Sequence, residues 1–443
     1  MSDDKKITTI PANIPNTRPI ELDVTSYAGY VEVDAKCASH MFYWFFESQN
    51  SQCLGKNPQE IPLVIWLNGG PGASSLVGLF LENGPFKIEN NDMGSIVTNP
   101  NSWNAEVHLL YWDQPVGTGY SYSNLDPQKA CYVNNEPELT EQFYKALQGF
   151  YELYPQYRDC PLYITGESYA GKYNPAIATE IMKQNRAGKN PRINLKGVAI
   201  GDGWINPQLQ TLGQIDYAFA MGFVDSKQRS LLMDTYNQFC KALSEKNMIK
   251  AYELGTQVTE NILKYGGHPD VNDVRRWGGL SVDLITKYLN QSALKNILKV
   301  PEKLEWILAD NSGPVADALK ADVMADYTDL FPPLLQEDCR FLIYTGNFDM
   351  LCGFNGIEEI FYNLDWKYKE QWQQVNRQVW VDPPQRTLGY VKSLQISTGE
   401  SSLNLLTQVN IPDAGHLVPM SKPKISRSMI YNWIFEREFL SSK

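Results

Sequence analysis

A serine after an apolar run, an aspartate after a later one and a histidine near the C-terminus have the types and order that nucleophilic catalysis requires. In "LYITGESYAGKYNP", residues 162–175, Ser168 stands between a β-branched and aromatic run, Leu162 to Thr165, and a predicted helix. A hydroxyl on so tight a turn is exposed at the sheet edge, and the helix N-terminus offers backbone N–H groups to a developing oxyanion. Gly166 and Ala170 satisfy the need for small flanking residues, although Ala170 stands where the common motif has Gly. The pattern alone is too common to separate a nucleophile from a helix start. A serine nucleophile needs a base, and there are four histidines, His40, His108, His268 and His416. His108 falls inside a predicted strand, His268 in a polar helical stretch and His40 beside an aromatic strand, where a structural role is expected. His416, in "DAGHLVP", lies on a loop at a strand end, just before the last helix. Asp349, in "FLIYTGNFDMLCG", follows a strand and a glycine, and would orient His416 and stabilise its imidazolium. Asp202, after the strand at 195–200, is the competing acid.

The chain order of serine, acid and histidine is that of α/β hydrolases, and it favours Asp349 over Asp202. "WLNGGPG", 66–72, places glycines at the end of an early strand, where the second oxyanion donor belongs, making Gly70 N–H with Tyr169 N–H the natural pair. Read alone, these glycines are equally well turn formers. The elements that must position this set are short apolar runs, each followed by a glycine-bearing turn, at 61–72, 106–119, 161–171, 194–204, 340–349 and 407–416. They read as buried strands. Helices are predicted at 139–154, with Thr140 as N-cap and Pro155 as stop, after Ser168, and at 425–435. Such alternation implies a mostly parallel central sheet flanked by helices. It breaks between 206 and 319, where the chain looks helical and more polar. The expected organisation is a core of 20–205 and 320–443, a mainly helical insertion or lid at 206–319, and a polar N-terminal extension at 1–19.

Composition narrows the partners. Over 443 residues, 43% are apolar and 20% charged, and the net charge is -11, so nucleic acid and anionic membrane are poor partners. No run is long enough to span a membrane, and no apolar stretch resembling a signal peptide opens the chain. The seven cysteines form no C-x-x-C pair, which argues against zinc and thioredoxin-like chemistry. Cys37 with Cys53 could bridge a hairpin, although a buried free thiol is the commoner outcome in a chain of this size. No metal and no organic cofactor is expected, since the histidines lack ligand spacing.

Six motifs in order, "WLNGGPGASS", "LENGPF", "DQPVGTGYSYS", "GESYAGKY", "YTGNFDMLC" and "DAGHLVP", closely resemble the serine carboxypeptidases, from about Ala28 to Trp433. Lys172 and "AIGDG" look most like the vitellogenic-like branch. The resemblance implies an α/β-hydrolase fold and a serine carboxypeptidase that hydrolyses the C-terminal peptide bond through an acyl-enzyme. It implies a triad of Ser168, Asp349 and His416, with Gly70 and Tyr169 as oxyanion hole. Asn68, the Gly69 backbone, Glu82 and Glu167 would bind the substrate's terminal carboxylate, although "LENGPF" by itself reads as a solvent-facing charge at Glu82. Two adjacent glutamates would share a proton and favour activity in acid. Cys352 matches a near-site thiol of some relatives and implies sensitivity to mercurials. Ala73 stands where many relatives have Cys, Asn347 where an acid is frequent, and Leu417 where Met is frequent. The implied partners are peptide or protein C-termini, with a homodimer allowed for, and the implied location is lysosomal, vacuolar or secreted. The alternatives are an acyltransferase, disfavoured by the presence of Asn68 and Glu167, and a protective binding role toward other proteins.

Overall fold

The computed structural model describes residues 6–12, 20–50, 57–89, 95–124, 129–308, 312–382, 386–398 and 401–439. Two units divide the chain: one of 1–166, 176–196 and 281–318, the other of 167–175, 197–280 and 319–443. Residues 281–318, expected within the helical insertion, thus group with the first unit.

The first unit contains β1 (Ile7–Ile10), β2 (Ile20–Asp34), β3 (Ser39–Phe46), β4 (Leu63–Leu67), β5 (Phe86–Ile88), β6 (Ile96–Thr98), β7 (His108–Trp112), β8 (Tyr122–Ser123) and β9 (Leu162–Glu167). Its sheet runs β1-β2-β3-β7-β4-β9, with β8 against β3 and β5–β6 as a separate hairpin. β4 is parallel to both of its neighbours, in register Leu63 with His108 and Leu63 with Leu162. Every residue of β4 and β7 is buried, as expected of strands covered on both faces. β1, β2 and β3 extend this centre as antiparallel strands. β1 corrects the expected polar extension: Ile7 and Ile10 are buried and pair with β2, so part of 1–19 belongs to the sheet.

The helix predicted at 139–154 runs Glu136–Leu153. It begins earlier because Asn135, not Thr140, accepts the Glu138 N–H, with Pro137 in the first turn, where a missing N–H costs nothing. Phe143, Leu147, Phe150 and Tyr151 form its buried face. Phe150 meets Tyr43 and Phe45 edge-on. Gly149 permits the close approach to β2, since a Cβ there would lie 2.4 Å from Val31.

The second unit holds β10 (Leu195–Gly201), β11 (Arg340–Gly346), β12 (Gln378–Asp382), β13 (Arg386–Thr398) and β14 (Ser401–Ile411), in the order β10-β11-β14-β13-β12. β11 is central, fully buried and parallel to β10 and β14, whereas β13 and β12 are antiparallel additions. Helices Pro207–Ala220, Ser226–Ser244 and Met248–Gly266 pack through Ile215, Leu232, Phe239, Leu254 and Val258, a cluster that reaches Met350 beside the end of β11.

A disulfide joins Cys37 to Cys131, 94 residues apart and both in the first unit. Cys53, the partner suggested by the sequence, lies outside the described residues. Closing so long a loop in the unfolded chain stabilises the native state by about 2–4 kcal/mol. Replacing both cysteines by Ser is expected to lower the melting temperature in calorimetry by about 2–8 °C; an unchanged transition would contradict this pairing.

Candidate active site

Ser168 follows the last residue of β9 with φ of 61°, a left-handed conformation that non-glycine residues adopt at a cost of order 1–3 kcal/mol. The surrounding backbone holds it there. The Ser168 N–H donates to Gly201 O at 3.0 Å, while its carbonyl accepts from Gly171 N at 2.8 Å and Trp204 N at 2.7 Å. Gly171 is required by this approach, because a Cβ would lie 2.8 Å from the Trp204 backbone. The helix Ala170–Ala187 starts two residues after Ser168.

Lys172, fully buried in that first turn, donates to three carbonyls, Asp322, Val323 and Ala325, at 2.7–2.8 Å. An ammonium has three donors, and all are used. Asp322 also accepts from the hydroxyls of Tyr169 at 2.6 Å and Tyr327 at 2.7 Å. Segment 322–327 therefore braces the turn that carries Ser168.

Asp349 stands three residues beyond β11 and is wholly buried. Its Oδ1 accepts from Leu351 N at 2.7 Å and Cys352 N at 3.2 Å, and its Oδ2 lies 2.8 Å from His416 Nδ1. A carboxylate only accepts, so Nδ1 carries the proton and Nε2 is left as the basic nitrogen. Gly353 permits the return of the chain, since a Cβ there would sit 2.2 Å from Asp349 O. His416 is 5% exposed and reaches this position from the loop after β14.

Asp202, the competing acid, follows β10 and is also wholly buried. Its Oδ1 accepts from Gly346 N at 2.9 Å. Burial first, then the neighbouring Asp349, push its carboxyl well above the usual aspartate range. Two buried carboxyls cannot both ionise cheaply, which favours the protonated form of Asp202. Its bond to Gly346 N supports the end of β11 that leads to Asp349.

A strap absent from the sequence reading spans residues 270–276. Asn272 O accepts from His416 N at 2.6 Å, Val271 O from Met350 N at 3.0 Å, and Val274 N donates to Phe348 O at 3.1 Å. Arg275 ties the strap to Asp413 and lies 4.7 Å over the Phe348 ring. The loops of Asp349 and His416 are both held by one segment through backbone groups, which carry no residue-type signal in a sequence.

Cys352 is 1% exposed, and burial followed by Asp349 raises its thiol well above the usual cysteine value. A buried protonated thiol is a poor target for reagents, which weakens the expected mercurial sensitivity. Ligand atoms of Asp349, Cys352 and His416 lie within 4.8 Å of one another, but the hydrogen bond already engages His416 Nδ1. The remaining histidines have structural settings. His108 accepts from Ser48 N and contacts Pro58 O, and burial lowers its pKa to about 4. His40 stacks on Tyr122, and His268 is exposed.

In the first unit, Asn68 and Glu82 are buried at 4% and 3% exposure, with Asn68 Nδ2 3.4 Å from Glu82 Oε1. Asn68 Oδ1 accepts from Trp66 Nε1 and Gly78 N. Glu82 is thus no solvent-facing charge. Gly70 has φ of 104°, and a Cβ there would meet the backbone N of Gly72 and Ala73 at 2.7 Å. Asp113 braces the same turn, accepting from Ser74 Oγ, Ser75 N and Tyr120 N. Burial, partly offset by these donors, raises its pKa to about 7. Glu167, the last residue of β9, is 3% exposed.

The fold is that of the α/β hydrolases. It matches the crystal structure of Kex1Δp, a prohormone-processing carboxypeptidase from Saccharomyces cerevisiae, with a TM-score of 0.80 at 23% identity over 94% of this chain and 92% of that one. The serine carboxypeptidase family profile matches residues 15–436. The probable serine carboxypeptidase CPVL of Dictyostelium discoideum is 33% identical over 98% of this chain and 83% of its own, and the venom serine carboxypeptidase of Apis mellifera is 31% identical over 94% and 85%. The chain belongs to the serine carboxypeptidase family and is a serine-type carboxypeptidase, a hydrolase of peptide C-termini; acyl transfer is not favoured. Among the described residues no helix is long and apolar enough to cross a membrane.

The raised carboxyl pKa values of Asp202 and Asp113 predict a fold more stable in acid. A carboxyl whose folded pKa is raised contributes stability that is complete below its ordinary pKa and lost as pH rises through the folded value. The melting temperature is expected to fall from pH 5 to pH 8. Asp202→Asn can still accept from Gly346 and does not titrate, so it is expected to flatten part of this fall and keep activity at pH 5 within about threefold. An unaltered slope in the variant would show that Asp202 is not the titrating group.

Proposed function

We propose that Ser168 is the nucleophile, His416 the general base and acid, and Asp349 the group that orients the imidazole and stabilises its charged form. The observation that carries this reading is the 2.8 Å contact from His416 Nδ1 to the buried Asp349 carboxylate, in a unit that also holds Ser168 in its strained turn. Ser168 Oγ attacks the last peptide carbonyl while His416 Nε2 takes its proton. The proton passes to the departing amine, which leaves as a free amino acid. Water, activated by the same nitrogen, then releases the shortened peptide from the ester. Backbone N–H groups of Gly70 and Tyr169 are assigned to the oxyanion, the tetrahedral centre being where fixed donors count most.

Asn68, the Gly69 backbone, Glu82 and Glu167 are assigned to the substrate's terminal carboxylate. Buried glutamates suit that task only when protons are shared, because a hydrogen bond to an anion needs a donor. Selection for a chain end follows, and binding weakens as the shared proton is lost. The Cys37–Cys131 disulfide favours an oxidising location, either a secretory route or an acidic compartment.

With blocked dipeptides, Ser168→Ala is expected to lower kcat by at least about 10³-fold with the fold intact. The wild-type KM should rise from pH 5 to pH 8, and the Glu82→Gln, Glu167→Gln double variant should remove most of that rise. Retained turnover in the first variant would displace Ser168 from its role, and a persisting KM slope in the second would displace the glutamates from theirs.

A further inference from the structure

The outer antiparallel strands of the second unit carry a cavity that the catalytic residues do not line. It measures about 180 Å³. Its floor consists of Tyr390 and Lys392 on β13 opposite Asn410 and Gln408 on β14, which face one way because they are direct cross-strand partners at alternate positions. Phe354 and Glu358, one helical turn apart, and Arg377 complete it.

Three donors in this cavity lack partners among the described residues. Gln408 is 4% exposed, yet its Nε2 makes no hydrogen bond. Lys392 is 7% exposed and forms no hydrogen bond or ion pair, its ammonium lying 4.2 Å from the Trp372 ring and 5.6 Å from that of Tyr362. Arg377 rests on the rings of Phe354 at 5.6 Å and Tyr390 at 4.9 Å, without an acidic partner. An unsatisfied buried amide is costly, and one acceptor-rich anion would satisfy it while supplying counter-charge to the Lys392 ammonium.

We propose that this cavity binds a small organic monocarboxylate with a flat apolar body. The carboxylate accepts from Lys392, Gln408 and Arg377, and the body lies against Tyr390 and Phe354. The volume suits this size, since a dry cavity of about 150 Å³ takes up benzene. Glu358, the single acidic group lining the cavity, leaves room for one negative charge and disfavours a dianion. Burial lowers the Lys392 pKa while Glu358 opposes the shift, in keeping with an ammonium short of counter-charge.

Benzoate titrated into the full chain by calorimetry tests the assignment, with inorganic phosphate as the second arm. Saturable millimolar binding is expected, weakened about tenfold by Lys392→Met and by Gln408→Leu, and severalfold by Arg377→Gln, an exposed position that leaves folding intact. Phosphate should bind at least about tenfold more weakly. Peptide turnover should be unchanged in all three variants. Absence of saturable binding, or equal benzoate affinity in the folded Arg377 and Lys392 variants, overturns the site. Phosphate binding as tight as benzoate overturns the ligand class.

Discussion

A carboxylate buried without water must be surrounded by donors, and the architecture around Asp349 follows from that constraint. Leu351 and Cys352 supply backbone N–H groups and His416 supplies its ring N–H, while burial and the nearby Asp349 favour the uncharged form of Asp202. Removing any of these leaves charge uncompensated at low dielectric, which costs several kcal/mol. The same set fixes the tautomer of His416, with the Nδ1 proton directed at Asp349. The sheet contributes by delivering β10, β11 and β14 side by side, so that Asp202, Asp349 and His416 emerge from adjacent strand ends.

The helical stretch after β10 adds rigidity to those loops. Gln214 donates to Leu351 O and is itself held by Thr259, while Tyr217 donates to Asn347 O. The strap at 270–276 then bonds the loops of both Asp349 and His416 through their backbones. Across the turn at Ser168, Lys172 and Asp322 play the corresponding part, with the Lys172 ammonium gathering the carbonyls of Asp322, Val323 and Ala325. Strain at Ser168 persists because these contacts over-determine its backbone.

The parts legible in the sequence are those with local signatures. Short apolar runs ending in glycine gave away β4, β7, β9, β10, β11 and β14, and the order of Ser168, Asp349 and His416 gave the site its outline. The flanking antiparallel strands were harder to read. β1 hides in a polar segment where only Ile7 and Ile10 are buried, and β13 mixes exposed and buried positions without clean alternation. Asp202 was legible as an acid at a strand end but not as a protonated one, since its state depends on Asp349 147 residues away in sequence. The Cys37–Cys131 pair and the strap were illegible for a related reason: each joins distant segments, and the strap does so through main-chain groups that every residue possesses.

The most direct measurement is the proton spectrum of the His416 ring in the resting protein. A strongly deshielded Nδ1 proton, protected from exchange and lost in both Asp349→Ala and His416→Gln, is what the account requires. Its absence from the folded wild type across pH 5–8, or its survival in Asp349→Ala, would show that the buried carboxylate does not orient the histidine.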